Sequence, residues 1–69
     1  MNDHAEIELV TCRYMARCSV KPCPRVATAI ARYLDNQGRP LRQRDLCDRH
    51  ANVLKKREPN IRDLRETRA

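Results

Sequence analysis

At 69 residues, with no Phe or Trp, two Tyr and 35% charged residues, the chain has room for one small domain and too little apolar material for a large core. No stretch approaches the roughly 20 apolar residues of a membrane span. The start, MNDHAEIELVT, has neither a basic n-region nor an apolar run, so the expected setting is cytoplasmic, where structural disulfides are rare.

Residues 1–11 contain Asp3, Glu6 and Glu8 and no Lys or Arg, a local charge of −3. Within them Glu6-Ile7-Glu8-Leu9 alternates polar and apolar, a weak strand signal. His4 reads as a solvent-exposed residue of a loose terminus. The next stretch, CRYMARCSVKPCP (12–24), holds three cysteines and two prolines and predicts a tight irregular loop.

Segment 26–34, VATAIARYL, is ambiguous. Val26, Ile30, Tyr33 and Leu34 fit a helical stripe, and the alanines favour a helix. Val26, Thr28, Ile30 and Leu34 equally fit one face of a strand. The turn cluster Asp35-Asn36-Gln37-Gly38 and the extended-looking RPLRQRDL (39–46) tip the reading towards a β-hairpin. A helix follows from about Cys47 to Arg57. Asp45 or Asp48 serves its first turn and Lys55, Lys56 and Arg57 its last, as the helix dipole prefers. Leu46, Val53 and Leu54 supply its expected buried side, and Pro59 ends it. Residues 60–69 read as one or two helical turns, with Ile61 and Leu64 on one side, or as a tail.

Chains of this size generally need a disulfide, a metal or a partner as a staple. Cys47-Asp48-Arg49-His50 offers two soft ligands three positions apart, one in the turn before a helix and one in its first turn. Cys18 and Cys23, with four residues between them, offer a second pair from a loop. Zinc binds four such ligands tetrahedrally, and a full Cys₃His set leaves no open position, so the site is expected to be structural. Cys12 with Cys18 is a competing first pair. Two disulfides and an iron–sulfur cluster on four cysteines are the alternatives. Cys12 outside the site would be a small half-buried residue.

CSVKPC, a hairpin-like stretch and LCDRHA together resemble treble-clef zinc fingers, in particular short zinc-finger proteins of actinobacteria and their phages. The resemblance covers about residues 18–57. It implies a small α+β domain of knuckle loop, β-hairpin and helix, stabilised by zinc on Cys18, Cys23, Cys47 and His50. The common knuckle has two residues between its cysteines, and this one has four. The implied organisation is an acidic segment at 1–11, a zinc-finger domain at 12–58 and a basic tail or short helix at 59–69.

The remaining motifs are weaker. His4-Ala5-Glu6 with Pro22-Cys23 matches part of the zinc-deaminase signature, but Val26 stands where its second Cys belongs. The single glycine, Gly38, excludes a Gly-rich phosphate loop. A Cys47–His50 nucleophile would compete with the metal for both groups, so no enzyme is expected and no small-molecule substrate.

From residue 12 onward the charge balance is +9, and 12 of the 15 basic residues are Arg. Three thiolates and one Zn²⁺ would leave the chain at about +5. Arg39, Arg42 and Arg44 on the second hairpin strand, with Arg49, Lys55, Lys56 and Arg57 on the helix, form a candidate nucleic-acid surface for DNA or RNA. Two tyrosines provide few stacking platforms for single strands. The expected function is a zinc-stabilised, nucleic-acid-binding regulator. The alternative is a protein-interaction adaptor that docks on a transcription or translation assembly.

Overall fold

The computed structural model describes residues 5–65, and His4 and residues 66–69 of the expected tail lie outside them. Four strands and one helix follow in chain order: β1 (Glu6–Thr11), β2 (Ala29–Leu34), β3 (Pro40–Leu46), α1 (Asp48–Arg57) and β4 (Arg62–Asp63). The strands form one sheet in the order β3-β2-β1-β4, antiparallel except for the parallel β1–β4 pair.

The hairpin reading of 26–46 holds, and the reason is local. Asp35 Oδ1 accepts hydrogen bonds from the backbone N–H groups of Gln37 and Arg39 at 2.9 and 2.8 Å. Gly38 takes φ = 79°, the left-handed position that closes a three-residue hairpin loop. β2 starts at Ala29, so Val26 lies outside it and is 56% exposed.

The alternation in β1 decides which face is inside. Ile7 and Leu9 are buried and stand opposite Tyr33 and Ala31 of β2. Cross-strand partners share a sheet face, so Ile7, Leu9, Ala29, Ala31, Tyr33 and Leu46 form one apolar layer. Helix α1 closes this layer with Ala51, fully buried, and with Leu54 packed against the cluster. Val53, expected on the buried side, is 42% exposed because it lies around the helix from Ala51. Burial of about a dozen small and medium side chains is a thin core.

Residues 6–11 share the sheet and the core of the 12–58 unit, since β1 is an interior strand. The last described segment contains β4, where one or two helical turns or a tail were expected. The Leu64 N–H donates to the Leu9 carbonyl at 2.7 Å, and Ile61 packs on the core. β4 thereby covers the edge of β1 that β2 does not pair, and Pro59 stands between α1 and the segment.

On the opposite face, the loop after β1 folds back across the sheet. The Tyr14 hydroxyl donates to Asp45 Oδ1 at 2.6 Å, next to Ile30, which is 7% exposed. Among the described residues, no helix is long and apolar enough to cross a membrane.

Candidate metal centre

The loop 12–24 has a defined course. Arg17 bridges to Val26, the Cys18 N–H donates to the Arg25 carbonyl at 2.9 Å, and the Ser19 N–H donates to the Asp45 carbonyl at 2.7 Å. A turn then brings the Cys23 N–H to the Val20 carbonyl at 2.8 Å. These bonds fold Cys18 and Cys23 back towards the end of β3. There Leu46 enters the core and Cys47 becomes the N-cap of α1. The Ala51 N–H donates to the Cys47 carbonyl at 2.9 Å, which fixes the first turn and hence the bearing of His50.

The Sγ atoms of Cys18, Cys23 and Cys47 and a ring nitrogen of His50 all lie within 4.8 Å of one another. His50 Nδ1 is 3.3 Å from Cys18 Sγ and 3.2 Å from Cys47 Sγ, and Cys23 Sγ is 3.9 Å from Cys47 Sγ. A tetrahedron with metal–sulfur bonds of about 2.3 Å and metal–nitrogen bonds of about 2.0–2.1 Å has S···S edges near 3.8 Å and S···N edges near 3.5 Å. These three edges agree to within about 0.4 Å and the remaining ones are no longer than 4.8 Å, so the cluster is compatible with binding one metal ion. All four cysteines are free thiols, so the two-disulfide alternative does not occur. Cys12 is half-buried outside the cluster, with its thiol donating to the Tyr14 carbonyl at 3.4 Å. That arrangement removes the Cys12–Cys18 pair and leaves a four-cysteine cluster without its fourth ligand.

The electrostatics of the cluster act in opposite directions on Cys47 and Cys23. Burial works against ionisation of Cys47, but the His50 amide and imidazole and the neighbouring thiols outweigh it and bring its pKa down to about 7. For Cys23 the Arg25 backbone N–H acts downward, while desolvation and the adjacent Cys47 and Cys18 thiols prevail and raise it. Thr28 Oγ1 donates to Asp48 Oδ1 at 2.5 Å and ties the residue before β2 to the first helical turn.

Of the seven expected basic contacts, two are engaged within the protein. Lys55 Nζ lies 3.0 Å from Asp63 Oδ2, and the Arg42 guanidinium sits 4.6 Å above the centroid of the Tyr33 ring. Arg39, Arg44, Arg49, Lys56 and Arg57 are exposed and form no ion pair among the described residues. The sequence reading missed Lys21 and Arg25, which stand beside the cluster. Their position on either side of Cys23 was the available signal. It also missed the clamp in which Asp63 bonds both Lys55 and Arg65, and Arg65 bonds Asn52 of α1. No known protein family, curated protein or solved structure matches this chain.

Proposed function

We propose that this protein is a small zinc-stapled, treble-clef-like binding module that grips nucleic acid through its hairpin and helix, as a regulator would. Three thiols and one imidazole are a donor set suited to zinc. Filled by four protein ligands, the ion would have no position for substrate. It would hold the Cys18–Cys23 loop to the start of α1 and contribute folding free energy. Loop, hairpin and helix occur in the treble-clef order, with β1 and β4 added to the hairpin's sheet.

The observation that carries the nucleic-acid reading is the separation of charge. Six of the seven acidic side chains among the described residues are engaged internally. Glu6 and Glu8 flank Arg62, Asp63 holds Lys55 and Arg65, Asp45 binds Tyr14, Asp48 binds Thr28, and Asp35 closes the turn. Arg39, Arg44, Arg49, Lys56 and Arg57 have no ion-pair partner among the described residues, and phosphate is the natural counterpart of guanidinium groups.

The test is binding of the zinc-loaded chain to a duplex DNA over a range of salt. Neutralising about five phosphates gives a log–log slope near −4.5. Reversing Arg39, Arg44, Lys56 and Arg57 to Glu should abolish binding while metal content and circular dichroism stay unchanged. A flat salt response, or affinity that survives the reversal, overturns the reading.

A second reading, a protein-interaction adaptor, draws on the other sheet face. Val10, Ile30, Tyr14 and Leu64 line an open groove of about 400 Å³ there, with Tyr14 and Leu64 about half exposed. Co-purification with and without nuclease separates the two readings. Material removed by nuclease treatment supports nucleic acid, and a stoichiometric protein that resists nuclease supports the adaptor.

A further inference from the structure

Beside the metal cluster, Val20, Pro22 and Pro24 wall an open groove of about 270 Å³ whose charged lining is Lys21, Arg25 and Arg49. Cys23 and His50 also line it, and all three cations are exposed. No carboxylate lines it, whereas Asp or Glu engages most cations on the β1–β4 side of the sheet. None of the three cations makes an ion pair among the described residues. Three like charges line one concavity with no carboxylate of the described residues beside them, an arrangement that attracts an anion.

We infer that this groove is a phosphate-binding site, in which Lys21, Arg25 and Arg49 grip a phosphate group of the nucleic acid. The inference deepens the function proposed above and rests on it for the source of the phosphate. Two arginine forks and one ammonium suit an oxyanion with several acceptor oxygens. The two prolines restrict the backbone on either side of Cys23, so two of the three cations project from a stiff segment. Arg49 projects from the first turn of α1, where the helix dipole adds positive potential. The competing explanation is that the cations only compensate the metal centre. Three thiolates around a divalent ion carry −1, against +3 from the groove, so an excess of about +2 remains for an external anion. A metal-stapled loop would thereby present the phosphate site, and the hairpin and helix arginines would extend it along the backbone.

The experiment is an amide-resolved NMR titration of the zinc-loaded full chain with sodium pyrophosphate and with a 12-base-pair DNA duplex. It is repeated on K21Q/R25Q, which leaves every metal ligand in place, and on R39Q/R44Q. Both titrants should shift amides within 20–25 and 49–50. K21Q/R25Q should bind pyrophosphate at least tenfold more weakly at unchanged zinc content. On the duplex its salt slope should flatten by about 0.9 for each phosphate that it no longer neutralises. R39Q/R44Q should weaken the duplex and leave pyrophosphate unaffected. The inference is overturned if pyrophosphate shifts other residues instead, or if K21Q/R25Q binds within twofold of the wild type. It is also overturned if that variant loses zinc while phosphate binding persists, since the cations would then serve the metal. Failure of the two ideas is distinguishable: pyrophosphate in the groove with no duplex binding removes the nucleic-acid reading and keeps the site. Duplex binding that is indifferent to K21Q/R25Q does the reverse.

Discussion

The Cys47 thiol and the His50 Nδ1 atom lie 3.2 Å apart within the first turn of α1, and Cys18 Sγ approaches the same nitrogen at 3.3 Å. The N-cap residue and the third residue of a helix are thereby joined to a loop some thirty residues earlier in the chain. That loop is also tied to the rest of the protein by backbone bonds to β3 and to the segment before β2, by the Tyr14–Asp45 bond, and by Cys18 and Val20 in or against the core. The cluster therefore sits at the edge of the apolar core, where Cys18 and Cys47 pack with Leu46 and Ala51.

Loss of a single ligand should unfold the protein. Structural zinc contributes about 10–16 kcal/mol in small zinc-binding chains, while whole domains are stable by about 5–15 kcal/mol. Cys47→Ala, His50→Ala and a strong chelator acting on the wild type should each remove secondary structure, read by circular dichroism alongside zinc content. Cys12→Ala, whose thiol lies outside the cluster, should keep one zinc per chain and cost about 1 kcal/mol or less. Loss of zinc in the Cys12 variant and its retention in Cys23→Ala would overturn the assignment.

Tyr14 should reveal its bond to Asp45 in an ultraviolet titration. The hydrogen bond to the Asp45 carboxylate, with some desolvation and the negative charge beside it, raises its pKa from 10.0 to about 12. The folded value lies above the unfolded one. The associated stability is thus fully present below about pH 10 and is lost as the pH rises through about 12. A phenolate absorbance step near pH 12 that disappears in Tyr14→Phe is the expected result. A step near 10 for this residue would mean that the loop does not lie across the sheet.

Asp63 should prove to be the main anchor of β4. Its carboxylate is held well below the usual range, first by Arg65, whose guanidinium donates to both of its oxygens, and then by Lys55. Asp63 and Arg65 are each only about one-fifth exposed, so the pair is less screened than a surface pair. Asp63→Asn should cost about 1–2 kcal/mol in denaturant unfolding with zinc kept saturating. Because the folded pKa is depressed, the Asp63 contribution is present above the unfolded value of about 3.9 and lost as pH falls below it. A cost below a few tenths of a kcal/mol at neutral pH would show β4 to be held mainly by its other contacts, the Leu64–Leu9 backbone bond, the Arg62 ion pairs and Ile61.

Gly38 should be replaceable at a backbone cost only. A Cβ at this position meets nothing within 4 Å, so the penalty of Gly38→Ala comes from φ = 79°. That conformation costs an L-residue about 1–2 kcal/mol. Zinc content should stay unchanged and the urea midpoint should fall. An unchanged midpoint would mean that the hairpin loop relaxes into another turn.

How much of the fold was legible in the chain varied with the range of the interaction. The hairpin was readable because Asp35 and Gly38 act within a few residues, through a side-chain-to-backbone turn and a left-handed φ. The helix was readable from Cys47 to Arg57 because its charges at each end and Pro59 are local signals. Val53 misled because a single apolar residue on a ten-residue helix cannot say which way the helix is turned; Ala51, small enough for the helix to approach the apolar layer closely, sets that.

The four candidate ligands follow from residue type and spacing, and the sulfur and nitrogen chemistry that makes them candidates belongs to the sequence alone. Spacing could not decide between Cys12 and Cys23 as partner of Cys18. That choice is made by the Cys18–Arg25 and Ser19–Asp45 backbone bonds, which turn the loop after Cys18 back on β3 and leave Cys12 at the end of β1. Nor could composition tell which charges are neutralised. Arg62 and Glu6 are 56 positions apart and meet only because β1 and β4 run side by side. By itself the sequence determined the local turns, the helix and the donor set, since each depends on neighbours along the chain. The tertiary structure alone decided which cysteine is left out, which cations remain unpaired and that the ends of the described chain complete the sheet. All three depend on long-range pairing, whose entropy of closure is offset only when the whole core forms at once.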